Sequence, residues 1–432
     1  MRNNIIHSGA DELKYEIREI LKKAKTVEKF GVDITWENIG DPVAKGEKIP
    51  IWIKEIIKNA VDEDDSFRYS PTKGLDETRE FIADLRNQFE GAHITKEDVI
   101  FFNGLGDAIS KIYTYLNKNA RVIGPSPAYS THSSAEAAHS GAKHITYKLD
   151  PNNGWLPDFE DLKKKIKENK EISGILIINP DNPTGVVYGR EVMQKFVDIA
   201  KEFDLFIVCD EIYTNIWHNN IRPVRLSEVI GEVPGISMRG ISKEFPWPGA
   251  RCGWIEVYNK EKDTQFERYI KTLVDAKMLE VCSTTLPQRV IPKVIPDPRY
   301  KAYHKERNAI YGKKAEILYE KLKNVEGITT HKPGGAFYMT VVFKDGILKE
   351  NQTLKIKNED LKKFIEKEVV GVPLDKRFVY YLLASSGICV VPLSGFNCDL
   401  HGFRMTLLET NEEKFKKTAE ILAEKIKEYI NS

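Results

Sequence analysis

One lysine stands out by its company. In the run RGISKEFPWPGARCGWIE, Lys243 lies among glycines and prolines rather than on a charged helix face, and Arg251 follows eight residues later between Gly249 and Gly253. A lysine on a rigid, partly apolar turn is desolvated, which lowers its pKa and makes its amine nucleophilic. A guanidinium fixed nearby can grip a phosphate with its planar fork. Upstream, CDEIYT ends an apolar run with Asp210 and sets Tyr213 three residues on; a carboxylate there needs a cationic or protonated partner if it is buried. NGLGD brings Gly104 and Gly106 to the opening of a helix, where free backbone N–H groups favour an anion. NPDNPTG adds Asn182 between two prolines. Singly, each has an ordinary reading: a solvated lysine, an arginine paired with a carboxylate, a helix N-cap at Asp210, turns at the glycines and at Asn182. Together they offer a lysine for a Schiff base, a carboxylate to keep a pyridine nitrogen protonated, and glycines with an arginine for a phosphate. Those are the needs of pyridoxal phosphate.

Other chemistries find less support. A dinucleotide fingerprint would need a third glycine where the chain has Ile109, and there is no GxxxxGK[ST] loop. The nine histidines show no HxH or HExxH spacing, so no metal site is expected. Five cysteines, with no CxxC pair, fit reduced thiols in a cytoplasmic protein better than a disulfide framework. A formal net charge of +1 gives no electrostatic basis for nucleic acid or an acidic membrane. Apolar runs such as GILII and LFIVC are too short to span a bilayer. The first residues turn charged within a dozen positions, unlike a signal peptide.

The elements that must position these residues follow from the patterning. The 432 residues are enough for two or more packed units. EISGILIINP, then the helical REVMQKFVDIAKEFD, then LFIVCDE read as strand, helix, strand, which implies a right-handed βαβ unit and a largely parallel sheet. DVIFF, GILII and LFIVC each run into a polar, turn-rich segment, and ligands in open α/β sheets sit beyond such strand ends. The expected fold class is α/β: a large domain with a mostly parallel sheet flanked by helices, plus a smaller α+β domain. The expected boundaries are 1–45 for an N-terminal helix and arm packing with the small domain, 46–300 for the large domain, and 301–432 for the small one. The first helix is expected to be capped by Ser8 with Asp11 in its first turn, and to present Leu13, Ile17, Ile20 and Leu21 as an apolar stripe. Thr410 with Glu413 reads as a capping box for the last helix, and the charged stretch 344–375 as a surface insertion.

NPDNPTG, DEIY and SKEFPWPGARCGW, in that order, resemble the signature segments of the class I/II pyridoxal-phosphate-dependent aminotransferases of fold type I. The intervals of 28 residues from Asn182 to Asp210 and eight from Lys243 to Arg251 agree with that family. YSPTKG, PAY, GGAFY and GFRM match further positions, so the resemblance covers nearly the whole chain. It implies roles residue by residue. Lys243 would carry the cofactor as a Schiff base and then act as general base and acid. Asp210 would pair with the pyridinium nitrogen, and Tyr213 and Asn182 would bond the ring oxygen. Tyr129 would stack on the ring. Arg251, Ser242 and the backbone at Gly104, Leu105 and Gly106 would hold the phosphate. Arg404 would receive the substrate α-carboxylate, helped by Asn182 and the backbone near Gly40. Tyr69 would reach the phosphate of a neighbouring subunit, which implies a homodimer with shared sites; Thr284 and Thr285 fall in the same region. The family's small domain moves to close the site. One departure is Gly240, where relatives carry a phosphate-binding Ser or Thr, so the cup is expected to be one donor short.

The implied activity is transfer of an amino group from an amino acid to a 2-oxo acid such as 2-oxoglutarate. GICVVPLSGF followed by GFRMTLL is most similar to the tail of alanine aminotransferases, which favours a neutral donor, alanine first. A β-lyase of the same fold would share every cofactor residue, because the pocket chooses the bond broken. A non-catalytic regulatory module is the third reading; the chain has no room before the domain for a helix-turn-helix and keeps the lysine.

Overall fold

The alternating apolar and charged runs fold around a central sheet, seen in a computed structural model that describes residues 5–13, 16–218 and 220–432. After the short strand β1 (Thr35–Trp36) come β2 (Val99–Phe102), β3 (Arg121–Ser126), β4 (Thr146–Asp150), β5 (Leu156–Pro157), β6 (Ile172–Ile178), β7 (Phe206–Asp210), β8 (Gly235–Gly240) and β9 (Gly253–Tyr258). These last eight form one sheet in the order β2-β9-β8-β7-β6-β3-β4-β5. The β8-β7-β6-β3-β4 run is parallel, and β9 and β5 pair antiparallel with their neighbours. β6 is buried along almost its whole length, as a strand covered on both faces must be. Its alternation divides two cores. Leu176 and Ile178 face the helices Leu105–Thr114 and Thr264–Glu280, whereas Ile175 and Ile177 face the helix Arg190–Glu202. The carboxyl ends of β2, β6, β7 and β8 therefore open on the same edge.

Beyond the long helix Pro298–Leu322, β10 (Ile328–Thr330), β11 (Tyr338–Phe343), β12 (Ile388–Cys389), β13 (Val391–Pro392) and β14 (Gly402–Thr406) follow. A small antiparallel sheet runs β10-β11-β14-β13, and β12 pairs in parallel with β1. The helix Glu16–Glu28 packs on β12, β13 and the helix Leu374–Ser386, burying Ile20, Ala24 and Val27. The last helix, Glu412–Ile430, packs along Pro298–Leu322.

Three local expectations need correcting. Ser8 does not start the first helix. A single 3-10 turn, Ala10–Glu12, comes first, and the helix begins at Glu16. The reason is docking: a side chain at Gly9 would run into the main chain of Ala138 at 2.0 Å, so this segment follows the neighbouring helix surface. Leu13 thus precedes the helix and stays exposed, and the Ile17 side chain lies outside the described residues. The last helix is capped by Asn411, which accepts the Lys414 amide, and not by Thr410; the Thr410 hydroxyl turns instead to the Lys45 carbonyl at 3.4 Å. The stretch 344–375 is not merely superficial. It carries the helix Glu359–Glu368 and buries Leu348, Leu354, Ile356, Leu361 and Ile365 in the main core, with its lysines facing out.

Candidate active site

At the strand ends lies a cleft of about 280 Å³. Gly40, Leu105, Gly106, Tyr129, Asn182, Asp210, Tyr213, Ser242, Lys243, Arg251 and Arg404 all line it. Gly104 stands just behind, and Tyr69 lies apart, 80 % exposed.

Each side chain is held by the local fold. Lys243 is on the single helical turn Ile241–Glu244 that follows β8. Its Nζ donates to the Gly40 carbonyl. Burial lowers its pKa to about 8; Asp41 opposes that shift, while the nearby arginines 307, 404 and 251 add to it. The turn itself is tied down by Arg307 of the long helix. That guanidinium donates to the Lys243 carbonyl at 2.5 Å and the Glu244 carbonyl at 3.2 Å, and its Nε holds Glu47 at 2.6 Å. Tyr311 also donates to Glu47, at 2.5 Å.

Asp210 ends β7 fully enclosed. One oxygen accepts the Ile212 amide at 3.0 Å, and the other lies 3.1 Å from His132 Nε2. The second nitrogen of His132 lies 3.4 Å from the Tyr113 hydroxyl. Sequence reasoning did not find His132, yet it sits one helical turn after Tyr129, a spacing that puts both on one side of the helix Ser130–Ser140. Tyr213 shares a hydrogen bond of 2.9 Å with Tyr338 of β11, and burial followed by that neighbour drives its phenol pKa well up.

The asparagines of NPDNPTG divide their work. Asn179 is structural: its side chain donates to the Tyr188 and Val224 carbonyls, both at 3.1 Å, and accepts the Tyr188 amide at 2.9 Å. Asp181 folds the turn by accepting the Thr184 amide at 2.9 Å, and its burial raises its carboxyl pKa to about 7. Asn182 is thereby presented to the cleft, where its Oδ1 accepts from Arg404 at 3.2 Å. Arg404, on β14, is almost fully buried; it also donates to the Asn38 carbonyl and lies 4.4 Å over the Tyr338 ring.

The anion end of the cleft is built from backbone. Gly104 caps the helix Leu105–Thr114 at φ +83°, and the amides of Asp107 and Ala108 turn back to its carbonyl. The first amides, of Leu105 and Gly106, stay outside the helix's own bonds, at its positive end. A side chain on Gly104 would fall 2.3 Å from the Arg251 guanidinium, so the glycine is what lets Arg251 close over this cradle. Gly240 is explained by packing. A Cβ there would meet the Cys252 carbonyl at 2.9 Å and Gly253 Cα at 3.1 Å, where β8 and β9 pair closely.

Residues 35–422 of the chain match the family described as aminotransferase class I and II. The chain belongs to that family. This aminotransferase is 57% identical, over 100% of both chains, to a Methanocaldococcus jannaschii protein named as an uncharacterized aminotransferase. It is 28% identical to the glutamate-pyruvate aminotransferase AlaA of Escherichia coli K12, over 77% of this chain and 81% of that one. Among solved structures, the alanine aminotransferase of Pyrococcus furiosus superposes with a TM-score of 0.83 at 25% identity, over 100% of both chains. The enzyme is therefore of fold type I and depends on pyridoxal phosphate, with an amino acid and a 2-oxo acid as its substrate classes. The aminotransferase's own geometry fits that cofactor: a glycine cradle under an arginine, an enclosed carboxylate, and a lysine with a lowered pKa in one cleft. Among the described residues no helix is long and apolar enough to cross a membrane, and no cluster of metal-ligating side chains is found.

Proposed function

We propose that this enzyme moves an amino group from a neutral amino acid, alanine first, to a 2-oxo acid such as 2-oxoglutarate, with Lys243 holding the cofactor as a Schiff base. When bound, pyridoxal phosphate supplies the electron sink that lets the amino group change hands. The chain's residues do the rest. Asp210, backed by His132, holds a proton on the ring nitrogen. Tyr213 and Asn182 reach the ring oxygen, and Tyr129 covers one ring face. Ser242, Arg251 and the amides at Gly104, Leu105 and Gly106 take the phosphate. Lys243 Nζ, with a pKa lowered to about 8, takes up and returns the substrate's α-proton near neutral pH.

The observation that carries the substrate reading is the charge inventory of the cleft. Its cationic side chains are Lys243, Arg251 and Arg404. With Lys243 on the cofactor and Arg251 on its phosphate, Arg404 is left for the α-carboxylate, and Asn182 and Gly40 flank it. The rest of the lining carries no further cation, and Ile39, between Asn38, whose carbonyl accepts from Arg404, and Gly40, is an apolar side chain on that side of the cleft. A neutral side chain suits such a lining, because a second carboxylate there would be desolvated without a partner from this chain. The names of the alanine and glutamate-pyruvate aminotransferases among its relatives support the same choice.

We also infer that the working form is a homodimer. Tyr69, Phe67, Met278, Leu279 and Val281 leave a cluster of large apolar side chains exposed, with Leu279 at 85 %. The two segments are stitched together by Thr285, which donates to the Arg68 carbonyl at 2.7 Å, and by Ser70, which donates to the Ser283 carbonyl at 3.3 Å. Thr284 links this patch to the cleft by donating to the Arg251 carbonyl at 3.2 Å.

The deciding experiment mixes enzyme, alanine and 2-oxoglutarate and measures glutamate and pyruvate. Equimolar formation of both is expected. Pyruvate and ammonia released from a cysteine-like substrate without any oxo acid, and no glutamate from alanine, would establish a β-lyase instead.

A further inference from the structure

A second cavity, of about 720 Å³, lies behind the Lys243 turn and shares no lining residue with the active-site cleft. It is bounded by the ends of the helices Asp76–Asn87 and Thr285–Val294, the start of Pro298–Leu322, and the segment around Trp217. Its charged wall is uneven. Arg86 is held in a two-point ion pair, with Nε and Nη2 on the two oxygens of Glu256 at 2.5 and 3.0 Å. Arg225 and Arg239 are not. Arg239 donates from Nη1 to Glu211 at 3.3 Å, with Glu256 4.0 Å from its Nε. Arg225 reaches Glu228 at 3.3 Å, while its Nε is buried without a partner. Glu228 is shared besides with Arg222, which holds it through two bonds. A guanidinium has five N–H donors, so both arginines keep unpaired donors beside the cavity.

The surroundings sharpen the imbalance. Burial, then repulsion from Arg239 and Arg86, lowers the pKa of Arg225 to about 10, the mark of cations crowded together out of water. His218 and His304 also line the cavity, but burial lowers each to about 4, so they are neutral walls. Glu244 is the carboxylate on the lining, and it already accepts from the Asn215 amide and the Tyr300 hydroxyl. Lys301 and Lys305 stand exposed at the mouth on the long helix. Trp217, Ile295 and Tyr300 contribute apolar surface, and Phe89 stacks 3.8 Å from the Arg225 guanidinium.

We propose that this cavity is a binding site for a small organic anion, its acidic head on Arg225 and Arg239 and its apolar body against Trp217, Ile295 and Tyr300. Carboxylate and phosphate heads share the chemistry, since both present paired oxygens to a guanidinium fork. The site is distinct from the substrate cleft but adjoins its lysine, because Glu244, on the cavity wall, follows Lys243 in the same helical turn.

The test is calorimetric titration of the holoenzyme with 2-naphthoate, 2-naphthyl phosphate and the neutral 2-naphthylmethanol. The wild type is compared with Arg225→Gln, Ala309→Trp and Arg404→Gln. Ala309 lies on the lining at an exposed helix position, so the bulky replacement obstructs the cavity while leaving both arginines in place, and it keeps the test valid if Arg225→Gln fails to fold. Binding of at least one anionic probe should survive Arg404→Gln, weaken about tenfold or more in Arg225→Gln and Ala309→Trp, and exceed that of the alcohol by about tenfold. The stronger of the two anions identifies the head group. Absence of saturable binding by either anion, affinities unchanged within about twofold in the two cavity variants, loss of binding in Arg404→Gln, or equal binding of the alcohol would each overturn it.

Discussion

At the scale of single residues, Lys243 makes the sharpest prediction. Its folded pKa is about 8 rather than 10.5 because burial disfavours the charge. Between those values the unfolded chain holds a proton that the folded apoprotein has lost, so this group's contribution to stability rises with pH across that window. Below pH 8 both states are protonated, and the fold bears the full penalty of a buried charge. Urea unfolding of cofactor-free protein at pH 8 and pH 10 should therefore show a gain, relative to Lys243→Met, of roughly 2 kcal/mol. An identical pH dependence in the two proteins would rule out the shifted amine. The residues with distinctive spacing were readable from sequence: the lysine and arginine in a glycine-rich turn, the aspartate at a strand end, the asparagine between prolines. His132 was not, because one histidine on a helix looks like any other until the fold brings it 3.1 Å from Asp210. Tyr338 was visible as part of GGAFY, but its hydrogen bond to Tyr213 joins a strand to a turn 125 residues away and leaves no local trace.

At the scale of elements, two connections position the chemistry. The first is the β2-to-helix turn. Gly104→Ala would place a non-glycine residue at φ +83° and a methyl group against Arg251. Strain of about 1–2 kcal/mol in the left-handed region, with displacement of the guanidinium, should weaken cofactor retention by about tenfold or more. Absorbance of the bound cofactor during dialysis checks this; unchanged retention would remove Arg251 from the phosphate. The second is the clamp from the long helix. Arg307→Ala leaves the half-buried Glu47 without its cation, held by Tyr303 and Tyr311 alone, and frees the Lys243 and Glu244 carbonyls. The expected loss is about 1–3 kcal/mol, read from thermal or urea unfolding. A loss below about 1 kcal/mol would mean the contact is a surface pair of little weight. Sequence patterning found the βαβ unit and the long helix because hydrophobic periodicity persists over many residues. It misplaced helix starts at Ser8 and Thr410, where the deciding contacts, Gly9 on Ala138 and Thr410 on Lys45, come from distant segments.

At the scale of the whole molecule, the exposed cluster around Tyr69 predicts that each site needs a second copy of the chain. Sedimentation should give a dimer. Lys243→Ala and Tyr69→Ala proteins, each poorly active, should recover about a quarter of wild-type activity after subunit exchange, since half the randomly reassorted dimers carry one intact site. No recovery, with exchange shown by tagged subunits, would place each site within one chain. Sequence suggested Tyr69 through its family motif, yet 80 % exposure of a tyrosine beside other exposed apolar side chains is a property of the assembled surface. The substrate cleft, too, is a product of the assembled chain. Its floor toward Arg404 is main chain, with the Asn38 carbonyl on the guanidinium and the Gly40 carbonyl on Lys243, and a Cβ on Gly40 would lie 2.0 Å from the Tyr338 hydroxyl. A wall of peptide groups does not vary with the side-chain alphabet. The peptide floor therefore keeps the seat of Arg404 and Lys243 through changes of side chain at Asn38 and its neighbours other than Gly40, while the grip on the α-carboxylate still rests on the Arg404 side chain itself.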